Sequence, residues 1–97
     1  MISYAAFAES LGADGPPPGV DGPLKGLWLA AKGDWDAAHV VVQDDPSRDA
    51  AWVHAHLHRI EGDLDNAAYW YRMAGRPVSR AALDAEREEI AKALTGG

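Results

Sequence analysis

Histidines on one predicted helix are the residues of this chain best suited to chemistry. His54 and His58 are one helical turn apart and Glu61 follows three residues later, so all three share one face. Two imidazoles and a carboxylate are ligands that zinc or a similar ion accepts. In the interpretation that we favour, His54 and His58 are instead partly buried helix–helix contacts. A metal site at His54, His58 and Glu61 and a pH-responsive contact are the alternatives.

Paired aspartates after two glycines resemble the beginning of a calcium-binding loop. The pairs are Asp34 with Asp36 and Asp63 with Asp65. The further ligands of such a loop, including its terminal glutamate, are missing at the required spacing. Capping of helix N-termini explains all four residues, because carboxylates there accept backbone hydrogen bonds and favour the helix dipole. We therefore predict a structural role for them.

Groups that support covalent catalysis are scarce in this chain. Cysteine is absent, and the aliphatic hydroxyls lie at predicted helix ends or near a terminus, where capping is a sufficient role: Ser3, Ser10, Ser47, Ser79 and Thr95. No glycine-rich phosphate-binding loop ends in Lys-Ser or Lys-Thr. We predict that the protein is not an enzyme and has no cofactor.

The composition is typical of one soluble globular domain over residues 1–97. The chain is 47% hydrophobic and 25% charged, and it lacks the ~20-residue apolar run that crosses a bilayer. Its first residues lack the features of a secretory signal. Fifteen acidic residues against nine basic ones give a net charge of −6, which opposes binding to phosphates. We expect a cytoplasmic protein that binds neither nucleic acid nor membrane.

Helical signals cover most of the chain, and no interval is typical of a strand. Ser3 caps a short helix that ends at Gly12, and a Gly/Pro-rich connector follows at 12–23. Later segments carry the cap and stop signals of further helices. These helices are predicted at 24–32, at 34–43, from Asp45-Pro46 to Glu61, at 63–74, and from the Ser79 cap to about Leu94. The predicted fold class is all-α.

A pattern recurs along the chain after 29 residues. Gly26-x-x-Leu29-x-x-x-Gly33-Asp34-Trp35-Asp36-x-Ala38 is followed by Ala55-x-x-His58-x-x-x-Gly62-Asp63-Leu64-Asp65-x-Ala67. The two copies resemble tetratricopeptide repeats over about residues 22–77, although their period is shorter than the family's. The resemblance implies two antiparallel helix hairpins stacked in a short right-handed solenoid, flanked by N- and C-terminal capping helices.

The same resemblance implies a surface for a partner. In tetratricopeptide repeats one face of the first helix lines a concave groove that binds peptides, and Trp52, His56 and Arg59 occupy that face here. Tryptophan and arginine are also enriched at interface hot spots. We predict a non-catalytic protein-interaction module that binds a peptide or partner protein through these three residues. The competing interpretation is a solvated edge on which Arg59 lies over Trp52.

Two repeats leave both ends of a stack open, so capping helices or self-association must cover them. A homodimer is therefore a possible state, and a structural homo-oligomer is a further functional alternative. The segment 61–77 is also similar to small bacterial proteins that carry no assigned activity. That similarity implies a bacterial origin and no mechanism.

Overall fold

Six α-helices make up the computed structural model, which describes residues 1–96 and contains no strand within them. The helices are α1 (Tyr4–Ser10), α2 (Gly22–Ala31), α3 (Trp35–Gln43), α4 (Arg48–Ile60), α5 (Leu64–Ala74) and α6 (Leu83–Leu94). The all-α prediction is confirmed. Over the same residues, no helix has both the length and the apolar character needed to span a membrane.

The turns that join α2 to α3 and α4 to α5 have the same construction. Gly33 and Gly62 occupy them with φ values of +84° and +80°, a left-handed conformation that glycine adopts without strain. The next residue in each turn, Asp34 or Asp63, caps the following helix by accepting a hydrogen bond from a backbone N–H three residues on. The predicted glycine turns and aspartate caps are confirmed.

Helix α4 begins later than the Asp45-Pro46 signal predicts. Its N-cap is Ser47, whose hydroxyl accepts a hydrogen bond from the backbone N–H of Ala50. The carboxylate of Asp45 instead accepts from the backbone N–H of Ser47 at 2.9 Å, and so shapes the turn before the helix.

Helices α2 and α6 also differ from prediction at their starts. Helix α2 begins inside the predicted connector at Gly22, because Pro23 is compatible with a first helical turn. Helix α6 begins at Leu83 rather than after Ser79. The Ser79 hydroxyl accepts from the backbone N–H of Ala81, two residues on, which makes a local turn instead of a helix cap.

Helix α4 lies at the centre of the fold and packs against α2, α3, α5 and α6. Every residue from 50 to 58 is buried, so this helix faces protein on all sides. Its apolar residues form much of the core, together with large side chains such as Trp28, Phe7 and Ile90. Three of the buried α4 residues are histidines, and buried polar side chains need partners.

Gly26 on α2 lies where three helices approach one another closely. A Cβ built there would lie 2.8 Å from a methyl of Val42 on α3 and 3.5 Å from a methyl of Val53 on α4. Carbon atoms pack at about 3.5–4.0 Å, so the position requires glycine. This close approach holds α3 beside α4, which places the side chain of His39 against α4.

Candidate functional site

The buried histidines of α4 point to two different sides of the helix. Residues four apart lie about 40° apart around a helix, whereas residues two apart lie about 160° apart. His54 and His58 therefore share a side, where they meet His39 of α3 and Trp70 of α5. His56 points the other way and meets Glu86 of α6.

The first group, which we name the imidazole cluster, consists of His39, His54 and His58. The Nε2 atoms of His39 and His54 lie 3.1 Å apart. The rings of His54 and His58 stack with centroids 4.8 Å apart. One ring nitrogen from each of the three histidines lies within 4.8 Å of one from each of the others. This is a convergent set of three nitrogen donors.

Two tryptophans flank the imidazole cluster and restrict its rings. Trp35 stacks on His39 with centroids 4.9 Å apart, and Trp70 stacks on His54 at 3.9 Å. The indole N–H of Trp35 donates to the backbone carbonyl of Leu57 at 2.7 Å, which fixes that ring against α4. Packed aromatic neighbours hold the imidazoles in defined orientations.

Glu61 fixes the tautomer of His58. Its Oε1 lies 2.6 Å from the Nδ1 of His58, so the imidazole donates its Nδ1–H to the carboxylate and keeps its lone pair on Nε2. A carboxylate on the far ring nitrogen is the usual second-shell partner of a metal-binding histidine. Glu61 also belongs to a second possible ligand set, with His58 and Asp63, whose two carboxylates are exposed.

His54 is buried without a full set of hydrogen bonds. The residue is 3% exposed, and its Nδ1 has no partner among residues 1–96. Burial, followed by the nearby rings of His58 and His39, lowers the pKa of His54 from 6.5 to about 4. His54 is therefore uncharged at neutral pH, which is the form that binds metal.

The second group, which we name the carboxylate cluster, surrounds Glu86 of α6. Glu86 is 0% exposed, and its Oε1 lies 2.7 Å from His56 Nδ1 and 2.8 Å from Arg59 Nη1. Its Oε2 accepts a hydrogen bond from the hydroxyl of Tyr71. Arg59 also donates from Nη2 to the carbonyl of Ala81 at 2.6 Å. This cluster ties α6 and the segment before it to α4 and α5.

Hydrogen bonding keeps the buried carboxylate ionised. Burial by itself opposes the charge on Glu86, but the hydrogen bonds from His56, Tyr71 and Arg59 outweigh it and hold the pKa of Glu86 below its ordinary value. Burial and the adjacent Glu86 carboxylate raise the pKa of Tyr71, so its hydroxyl remains a donor. The carboxylate cluster is a matched network of donors and acceptors.

The three residues predicted to bind a partner lie beneath the chain's own C-terminal segment. Trp52 and His56 are 3% and 2% exposed, so the expected open groove is not present at these positions. The guanidinium of Arg76 lies 3.7 Å from the ring centroid of Trp52, and Arg59 binds Glu86. Arg76 thus stacks on Trp52 and Glu86 binds Arg59, so residues of the same chain make the contacts that were expected from a partner.

The predicted metal ligands are only partly brought together. His54 and His58 stack as neighbours. Glu61 contacts the Nδ1 of His58, and the third ring that converges with theirs belongs to His39. His39 is not among the metal ligands predicted from the sequence, and it lies on a different helix from His54 and His58. The available signal was its position four residues after Trp35, on the face of α3 that a stacked hairpin turns toward α4.

Glu86 is not among the candidate site residues predicted from the sequence. It lies three residues after Leu83 and four before Ile90, which is the spacing of one helical face. An acidic residue on an apolar stripe indicates a buried charge that needs cationic and hydroxyl partners.

Comparisons with protein-family models, with curated proteins and with solved structures find no match to this chain.

Proposed function

We propose that this protein binds one divalent transition-metal ion through the imidazole cluster. The observation that carries the proposal is the convergence of ring nitrogens: one nitrogen from each of His39, His54 and His58 lies within 4.8 Å of one from each of the others. A bound ion would replace the hydrogen bond between His39 and His54 and take one ring nitrogen from each of the three histidines.

The donor set suits zinc and its neighbours in the first transition series. Imidazole nitrogens are good ligands for zinc, copper, nickel and iron, and neutral imidazoles need lose no proton to bind. Two nitrogens bound to tetrahedral zinc are about 3.3 Å apart. The 3.1 Å between the Nε2 atoms of His39 and His54 is close to that value, and the His58 nitrogen, within 4.8 Å of the other two, completes the set after a shift of its ring.

We also propose that the hairpins α2–α3 and α4–α5 are tetratricopeptide-like units. The matching glycine turns and aspartate caps support this arrangement, as does the packing of α4 against both α2 and α3. In this arrangement the second hairpin stacks on the first, and the stacking sets His39 of one hairpin over His54 of the other. The metal site would then lie at the junction between the repeats.

Isothermal titration of the tag-free protein with zinc tests the metal-binding proposal. We expect one ion per chain, and no binding once His39 or His58 is replaced by alanine. Glu61→Gln should lower the affinity by roughly 10- to 100-fold, the usual effect of removing a second-shell carboxylate. His56→Ala is the matched control, because it removes a buried α4 imidazole outside the cluster and should leave the stoichiometry at one. Binding that survives loss of His39 would overturn the proposal.

Recognition of an acidic helix is a second candidate function. The observation that favours it is that Trp52, His56 and Arg59 already hold an arginine and a carboxylate from the chain's own C-terminal segment. We propose that a partner helix bearing a carboxylate binds this surface when α6 is displaced.

A fluorescent peptide of residues 79–96 tests the second candidate. The full chain carrying Glu86→Gln, whose own α6 is held less tightly, should bind the peptide more strongly than the unchanged chain does. Adding Arg59→Ala to that variant should abolish binding. Equal and negligible binding by all three proteins would exclude the surface as a recognition site.

A further inference from the structure

The imidazole cluster offers three ligands, whereas a tetrahedral ion takes four. In zinc sites a fourth protein ligand closes the coordination sphere, and its absence leaves a position for solvent or substrate. The side chains around the cluster decide between these two arrangements. This inference rests on the proposed metal binding.

The neighbours of the imidazole cluster do not offer a free fourth donor within the described part of the chain. Trp35 and Trp70 present indole rings, which have no lone pair for a metal, and the Trp35 N–H is bound to the Leu57 carbonyl. Glu61 is the nearest carboxylate in contact with the cluster, and it is bound to the Nδ1 of His58 at 2.6 Å. The Glu61 carboxylate therefore orients the ring of His58 by binding its Nδ1.

We propose that the ion held by His39, His54 and His58 keeps one exchangeable position, filled by water or by a small anion. Three neutral imidazoles bring no negative charge to the ion, and the Glu61 carboxylate is held on the Nδ1 of His58, so an anion in the fourth position gains a Coulomb interaction in a partly buried site. His39 is only half-buried, and its side of the cluster gives solvent a route to the ion. The class of ligand is a monodentate anion with an oxygen, nitrogen or sulfur donor.

Cobalt spectroscopy on the full-length, tag-free protein tests the open position. Co(II) binds the same nitrogen ligands as zinc, and its visible bands report coordination number and ligand exchange. We expect the intense bands of a four-coordinate ion, which shift saturably when sodium thiocyanate is added, with one thiocyanate bound per cobalt. Glu61→Gln should retain this response, because the carboxylate is not a ligand.

Each outcome separates the two proposals. Absence of cobalt and zinc binding means that the proposed function fails. Bound cobalt whose bands do not respond to thiocyanate, or whose bands respond only in Glu61→Gln, shows a closed site and overturns the open position alone. Cobalt that thiocyanate releases into the ultrafiltrate, instead of shifting its bands, also contradicts the inference.

Discussion

Two buried polar clusters lie on different sides of α4, and they differ in how completely their polar atoms are matched. In the carboxylate cluster both oxygens of Glu86 accept hydrogen bonds from surrounding side chains. In the imidazole cluster the Nδ1 of His54 is buried with no partner over residues 1–96. One network is therefore complete within the chain, and the other is not.

The comparison separates a structural role from a binding role. A matched buried charge holds elements together, and removing one partner is expensive because the others stay buried. An unmatched buried polar atom costs about 1–3 kcal/mol of stability, so the imidazole cluster is not arranged for the greatest stability. We therefore assign the carboxylate cluster to the positioning of α6 and the imidazole cluster to binding.

Removal of the Glu86 carboxylate should produce the largest effect. Glu86→Ala leaves Arg59 and His56 facing a buried gap, and we expect a loss of about 3–5 kcal/mol in the free energy of unfolding. Urea denaturation monitored by circular dichroism measures this loss of stability. Glu89→Ala, an exposed change on the same helix, should stay within about 0.5 kcal/mol. Equal effects of the two substitutions would show that the carboxylate cluster does not hold α6.

As the pH falls from 7, the free energy of unfolding should first decrease because of His54 in the imidazole cluster. The unfolded chain takes up a proton at His54 as pH falls through 6.5, whereas the folded protein resists it down to about pH 4, so stability falls over this window. Since each pH unit between the two pKa values is worth about 1.4 kcal/mol, the loss is at most about 3.5 kcal/mol. Urea midpoints measured from pH 7 down to about pH 4 report it.

The carboxylate cluster should respond at lower pH. Because the pKa of Glu86 is lowered in the folded protein, its contribution is present above its unfolded pKa and is lost as pH falls below that value. His54→Phe should therefore flatten the decline from pH 6.5 toward about pH 4 while leaving the decline at lower pH. An unchanged profile in His54→Phe would remove His54 as the origin of the first loss.

A matched pair of substitutions on α4 sharpens the comparison further. His56→Phe deprives Glu86 of a donor and should cost about 2 kcal/mol. His54→Phe removes the unpartnered Nδ1 together with the Nε2 that pairs with His39, retains an aromatic ring against Trp70, and should cost less than His56→Phe without metal. Thermal unfolding of both variants after dialysis against a chelator gives the two values. The opposite ranking would contradict our assignment of the two clusters.

The smallest effect is expected where the C-terminal segment lies over the edge of the carboxylate cluster. Arg76→Ala removes the cation–π contact with Trp52 and should cost about 0.5–1 kcal/mol, because the arginine is exposed. Arg80→Ala, in the same segment, is a control that should have less effect. Thermal unfolding distinguishes the two, and identical melting temperatures would show that the contact contributes nothing.

Local signals in the sequence predicted the helices, and long-range contacts determined the candidate sites. Gly33, Gly62 and the aspartate caps act on their immediate neighbours, so their effects were visible in the sequence. His39 meets His54 across 15 residues and Glu86 meets His56 across 30, and such distances require the packing of whole helices.

The face of a helix that is buried also depends on what packs against it. The resemblance to tetratricopeptide repeats implies that the stripe containing Trp52 lines an open groove. The C-terminal segment folds back over that stripe, and Glu86 enters it as a buried anion. The residues thus predicted that Trp52 stacks on a partner group and that Arg59 binds a carboxylate. They did not predict that both groups come from the same chain.

The most direct test of the account is the free energy of unfolding of the tag-free protein with and without zinc, compared with that of His39→Ala. At free zinc about 100 times the dissociation constant, the unchanged protein should gain about 2.7 kcal/mol and the variant nothing. An equal gain in both proteins, or none in either, would contradict the claim that the imidazole cluster is a metal site.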